Sequence, residues 1–122
     1  MPIVTIRSLA KPDDSVAASK RIATAIADAA HMPAHDIWLV WTAVAPGSYV
    51  VNGVAPDAQP EDTHPPLVEI SSGAGRTPDV VEGMLKAAAE AIAAELHVTP
   101  QNVRVIFAEV PTRRIYSRGR YQ

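Results

Sequence analysis

The sequence predicts an α/β (α+β) protein: tandem β-α-β units forming a four-stranded sheet with two helices on one face. Three observations carry that prediction. The runs "IVTIRSL", "IWLVWTAV", "PLVEISS" and "VRVIFAEV" are short and rich in β-branched and aromatic residues, the composition of strands. Each pair of these runs encloses a longer, Ala-rich periodic stretch that reads as a helix. Finally, "AIADAAHMPAHDIWLVWTAV" and "AIAAELHVTPQNVRVIFAEV" align without a gap, setting Ala25–Ile26 on Ala91–Ile92, His31 on His97 and Trp38 on Arg104. The chain reads as a duplication.

Along the first unit, about residues 1–51, the strand "IVTIRSL" is followed by a helix whose Ala18, Ile22, Ile26 and Ala29 share one face. Asp13, Asp14 or Ser15 can cap its start, and Pro33 helps to stop it. The strand "IWLVWTAV" closes the unit; the odd spacing of Trp38 and Trp41 sends one into the core and the other toward a site or interface, without saying which. The segment "NGVAPDAQPEDTHPP" is rich in Pro, Gly and acidic residues and reads as an exposed linker. In the second unit, about residues 66–122, Thr77 is the expected cap and Pro78 the first helical residue, with Val81, Leu85, Ala88 and Ile92 as the buried stripe. Both units make a single domain.

A helical crossover makes the strands within each unit parallel. With both helices on one face, the other sheet face needs cover, and self-association is the simplest way to provide it.

Composition excludes several classes of function. A net charge of -2, from 11 Lys+Arg against 13 Asp+Glu, gives no basic field for nucleic acid, the Arg-rich tail "TRRIYSRGR" being a local exception. With 0 Cys there is no disulfide framework or thiolate metal site, and a reducing cytoplasm is the expected compartment. The longest apolar run, "IWLVWTAVA", is far short of a membrane span, which takes about 20 residues. In "HMPAH" the helical spacing of His31 and His35 is broken by Pro33, which argues against a metal site. "GAGRT" lacks the Lys-Ser/Thr of a phosphate loop and the spacing of a dinucleotide fingerprint, so it reads as a turn exposing Arg76. No cofactor is expected.

The unusual residue is Pro2. Proline opening a strand contributes no ladder hydrogen bond, so structurally it is merely tolerated there. If Met1 is removed, however, the Pro2 nitrogen becomes a free secondary amine with a pKa near 8, which burial or a neighbouring arginine would lower. Such an amine is a base near neutral pH.

These residues together resemble the tautomerase superfamily, whose members carry an amino-terminal catalytic proline on a β-α-β unit. The second half is similar to a 4-oxalocrotonate tautomerase subunit in "PLVEISSGAGRT" and "NVRVIFAEV", and the two-unit chain resembles the fused tautomerases. It also resembles the related cis-3-chloroacrylic acid dehalogenases and malonate semialdehyde decarboxylases. The resemblance implies a homotrimer in which Pro2 is the general base, while Arg76 and Arg104 bind and polarise a small carboxylate substrate. Arg104 is implied to serve a neighbouring subunit's site.

Departures from those families narrow the expected reaction. Gly73 and Ser117 stand where the dehalogenases have an arginine and a water-activating glutamate, which argues against dehalogenation. "MPAHD" resembles the decarboxylase context and sets Asp36 on its aspartate, but Ala74 replaces a second arginine. Pro66 matches the catalytic proline in the second unit, where an internal nitrogen is an amide and has no basicity. Pro12, beside Lys11, and Trp38 occupy the first unit's arginine positions. One working site per chain is therefore expected.

The leading functional expectation is a cofactor-independent tautomerase or isomerase of small 2-keto or 2-hydroxydienoate acids. A decarboxylase or hydratase of a small 3-oxo acid, using Asp36 as a substrate-binding carboxylate, is the alternative enzyme. The third reading is a non-catalytic oligomeric binding protein. The tail residues Arg113, Arg114, Arg118 and Arg120 read as solvated or at subunit contacts, with a substrate-carboxylate role also open.

Overall fold

The computed structural model describes residues 1–122. Strand β1 (Ile3–Ser8) leads through helix α1 (Ser15–Ala29) and a short 3-10 turn (Ala34–Asp36) to β2 (Trp38–Ala43). After a long connection, β3 (Leu67–Gly73), α2 (Pro78–Leu96), a second 3-10 turn (Pro100–Asn102) and β4 (Arg104–Val110) repeat the plan. A two-stranded hairpin, β5 (Tyr116–Ser117) and β6 (Arg120–Tyr121), ends the chain.

The four long strands form one sheet in the order β2-β1-β3-β4. β1 and β2 are parallel, as are β3 and β4, while β1 and β3 meet antiparallel at the centre. The duplication is visible in the backbone: the Pro2 carbonyl accepts from the Trp38 N–H at 3.0 Å, and the Pro66 carbonyl from the Arg104 N–H at 3.1 Å. Trp38 and Arg104 thus hold equivalent places, as the gapless alignment requires.

Alternation decides which side is covered. Val4, Ile6, Val68 and Ile70 point to the helices and are buried, each contributing about 1.5–3 kcal/mol of apolar transfer. Ile22, Ile26, Met84, Ala88 and Ile92 answer them from the helices. The small residues Ala18, Ala23 and Ala27 of α1 are buried with them, which lets the core close with few aromatics. Ile3, Trp38, Val40 and Ile106 lie on the other side of the sheet and are exposed.

Asp14 caps α1 by accepting from the Ala17 N–H, and Thr77 caps α2 by accepting from the Val80 N–H, with Pro78 in the first turn. The Arg21 guanidinium grips the Glu95 carboxylate from the other helix, its second contact at 3.0 Å, and that hydrogen bond holds the carboxyl below the ordinary glutamate range.

Three sequence expectations need correction. The buried stripe of α2 is centred on Met84, Ala88, Ile92, Ala93 and Leu96, with Val81 and Leu85 only half-buried, because α2 faces both the sheet and α1. Ala29 of α1 is likewise half-buried at the helix end. The connection between units is not an exposed linker throughout: His64 is buried and bonds the Val54 carbonyl, and the Asn102 side chain donates to the Thr63 carbonyl at 2.8 Å. Polar side chains strap it to the body.

Candidate active site

Pro2 precedes β1 with its ring buried on the helix side of the sheet. The antiparallel register pairs Ile3 with Ser71, so Pro2 lies next to Ser72 in the neighbouring strand. Ser72 is buried, and its Oγ accepts a 2.6 Å hydrogen bond from Arg76 Nη1. The turn after β3 therefore carries Arg76 back toward the mouth at which β1 begins. Arg76 Nη2 lies 3.8 Å from the Met32 Sδ, so the side chain is also packed from the end of α1. Pro2 and Arg76, distant in sequence, are brought to one end of the sheet.

Asp36 closes the 3-10 turn two residues before Trp38, the partner of Ile3 in β2, and so stands at the same end. Its carboxylate faces His35 at 3.5 Å and is partly solvated. Arg104 lies elsewhere. It pairs with Leu67, which pairs with Arg7, so it sits at the far end of the sheet from Pro2, about 17 Å away along the strands at ~3.4 Å per residue. Its exposed side chain lines a shallow depression on the open sheet face with Thr5, Arg7 and Glu69. Within one chain, Pro2 and Arg104 do not meet.

The two tryptophans separate as their spacing demands. Trp41 is buried and donates from Nε1 to Ser8 Oγ at 2.9 Å, whereas Trp38 is 43% exposed beside the start of β1. A cleft of about 170 Å³ opens there, bounded by Met1, Ile3, Trp38 and Ser71 on the sheet and by Arg118 and Arg120 on the hairpin. The hairpin is what the sequence analysis missed. Its signal is "SRGR": Arg118 (φ 55) and Gly119 (φ 77) both take the left-handed conformation of a two-residue turn between β5 and β6.

At the other end, the pseudo-equivalent position around Pro66 is filled by the chain itself. The Tyr49 hydroxyl donates to the Pro65 carbonyl at 2.7 Å, and burial pushes that phenol above its ordinary pKa. The Gln59 amide donates to the His64 carbonyl at 2.8 Å. No group of three or more His, Asp or Glu side chains is arranged to hold a metal ion. No helix is long and apolar enough to cross a membrane.

No protein-family model matches the chain, nor does any curated protein. Solved structures do. A fused 4-OT asymmetric trimer superimposes with a TM-score of 0.84 at 21% identity, over 98% of this chain and 94% of that one. Pt0534 inactivated by 2-oxo-3-pentynoate gives 0.82 at 16% identity, over 96% and 92%. A member of the cis-3-chloroacrylic acid dehalogenase family gives 0.74 at 20% identity, over 98% and 82%. The fold is thus that of the tautomerase superfamily, in the two-unit form that the resemblance implied.

Proposed function

We propose that this chain, once Met1 is removed, is a cofactor-independent tautomerase of small 2-keto or 2-hydroxydienoate acids, working as a homotrimer. The observation that carries the reading is the central β1–β3 register, which sets the Pro2 position beside Ser72 and the Arg76 guanidinium bonded to it. Burial of the proline and the neighbouring positive charge both disfavour a protonated amine, leaving a base near neutral pH. In enol-to-keto conversion the amine takes the hydroxyl proton and returns it to carbon. The electron pair moves from oxygen through the double bond to that carbon, so no net proton is consumed. Arg76 holds negative charge developing on the substrate oxygen or carboxylate. Arg104 reaches the site from a neighbouring chain, a reading supported by its distance from its own Pro2 and by the trimers formed by the fused 4-OT structures.

The test begins with intact mass, since retained Met1 leaves the Pro2 nitrogen a non-basic amide. In processed protein, Pro2→Ala should lower phenylenolpyruvate or 2-hydroxymuconate turnover about 100-fold or more, the contribution typical of a positioned acid–base group. Arg76→Ala should lower kcat and raise KM together. Full activity in either variant refutes its role.

The position of Asp36 at the same mouth favours the second reading, a decarboxylase or hydratase of a small 3-oxo acid. Asp36→Asn separates the two readings. Tautomerisation should be little changed, whereas release of carbon dioxide from malonate semialdehyde that depends on Asp36, with negligible enol–keto conversion, would establish the alternative.

A further inference from the structure

We propose that Arg118, at the tip of the C-terminal hairpin, binds the carboxylate of a small 2-oxo acid beside the Pro2 nitrogen, making the tail one wall of the site. This rests on the proline reading above. Arg118 Nη2 lies 3.7 Å from the Sδ near the end of the Met1 side chain, and the Met1 carbonyl is bonded to the Pro2 nitrogen. The space that Met1 occupies therefore starts at that nitrogen. Met1 and Arg118 both line the cleft, so removing Met1 enlarges it on the side of the residue bonded to the Pro2 nitrogen.

The guanidinium has no anion of its own. The ion pairs of the chain are Arg21–Glu95, His35–Asp36 and Lys86–Glu90, and neither an aspartate nor a glutamate lines the cleft. Arg120 adds a second positive charge on the hairpin, while Ile3 and Trp38 supply an apolar wall that lowers the local dielectric and strengthens an ion pair. Arg76 differs, because its guanidinium is already bonded to Ser72 on the helix side.

The hairpin is tied together by contacts among residues 113–122. Tyr116 and Tyr121 stack edge to face at 5.3 Å, Arg113 lies over the Tyr121 ring, and the Gln122 N–H donates to the Ile115 carbonyl at 2.8 Å. A 2-oxo acid seated with its carboxylate on Arg118 would turn its keto and adjacent carbons toward the amine. Recognition is by the planar guanidinium fork, which matches a carboxylate with two hydrogen bonds.

The test uses 2-oxo-3-pentynoate on Met1-processed protein, with mass spectrometry locating the adduct. The free amine adds to the alkyne carbon β to the ketone, the π pair passes to the α carbon, which takes a proton, and the amine proton goes to solvent. Arg118→Asn suits the left-handed turn position, so the hairpin is kept while the charge is lost. Wild-type protein should be labelled on Pro2. Arg118→Asn should raise the half-saturating concentration about tenfold or more, the scale of one charge-assisted hydrogen bond, and Arg118→Lys should fall between. Both proteins should react equally with 3-pentyn-2-one, which lacks the carboxylate. An unchanged half-saturating concentration in Arg118→Asn, or an equal loss toward the uncharged ketone, overturns the inference and leaves the proline reading standing. Absence of label on Pro2 in the wild type overturns both.

Discussion

Two histidines that align between the units both take the left-handed conformation just after a helix. His31 and His97 both have φ 56, and His97 ends α2 in the left-handed conformation, its N–H donating to the Ala93 carbonyl. An L-residue there is strained by about 1–2 kcal/mol, which is why glycine is usual at this position. Glycine also loses about 0.5–1 kcal/mol through its freer unfolded chain, so relief of strain is only partly offset. His97→Gly should therefore stabilise the protein by up to about 1 kcal/mol, read as a higher urea midpoint with unchanged slope. A lower midpoint would mean that the imidazole contributes more than the cap geometry implies. Divergence between the units is equally local. Ser8 and Ser72 are both buried near the ends of the central strands, yet Ser8 accepts from Trp41 and Ser72 from Arg76.

The two long helices and four long strands were legible because hydrophobic period encodes them, and caps such as Thr77 followed by Pro78 mark a boundary by chemistry. The connection and tail were not. Their order comes from single polar side chains meeting backbone carbonyls, which leaves no period to read. Pro2 and Arg76 could be brought to one end from strand direction alone, whereas Met32 and Arg118 join that end through a helix terminus and a hairpin with no signal in the strand pattern. The connection offers a clear test of such order. Asn102 is buried and donates to the Thr63 carbonyl at 2.8 Å and the Pro60 carbonyl at 3.4 Å. Asn102→Ala leaves those acceptors unpaired and should cost about 1–3 kcal/mol. Thermal unfolding should detect the loss; an unaltered Tm would show that the strap is held by other contacts.

At the scale of the whole molecule, one face of the sheet is buried by helices and the other carries exposed Ile3, Val40, Trp38 and Ile106 among Thr5, Arg7, Glu69 and Arg104. An apolar surface of this kind invites a partner, and closed symmetric self-association covers it without leaving an open edge for further growth. The proposed trimer has a mass of about 39 kDa against 13.0 kDa for the chain, so light scattering distinguishes the two directly. A sharper consequence follows from the separation of Pro2 and Arg104. If each site takes Pro2 from one chain and Arg104 from its neighbour, Pro2→Ala and Arg104→Ala proteins should each be weak when pure. Denatured together and reassembled in equal amounts, they form mixed trimers. A site then receives an intact Pro2 in half of cases and an intact neighbouring Arg104 in half of those, restoring about a quarter of wild-type turnover under closed symmetric assembly. If both residues served the site of a single chain, mixing would restore nothing above the average of the two pure variants.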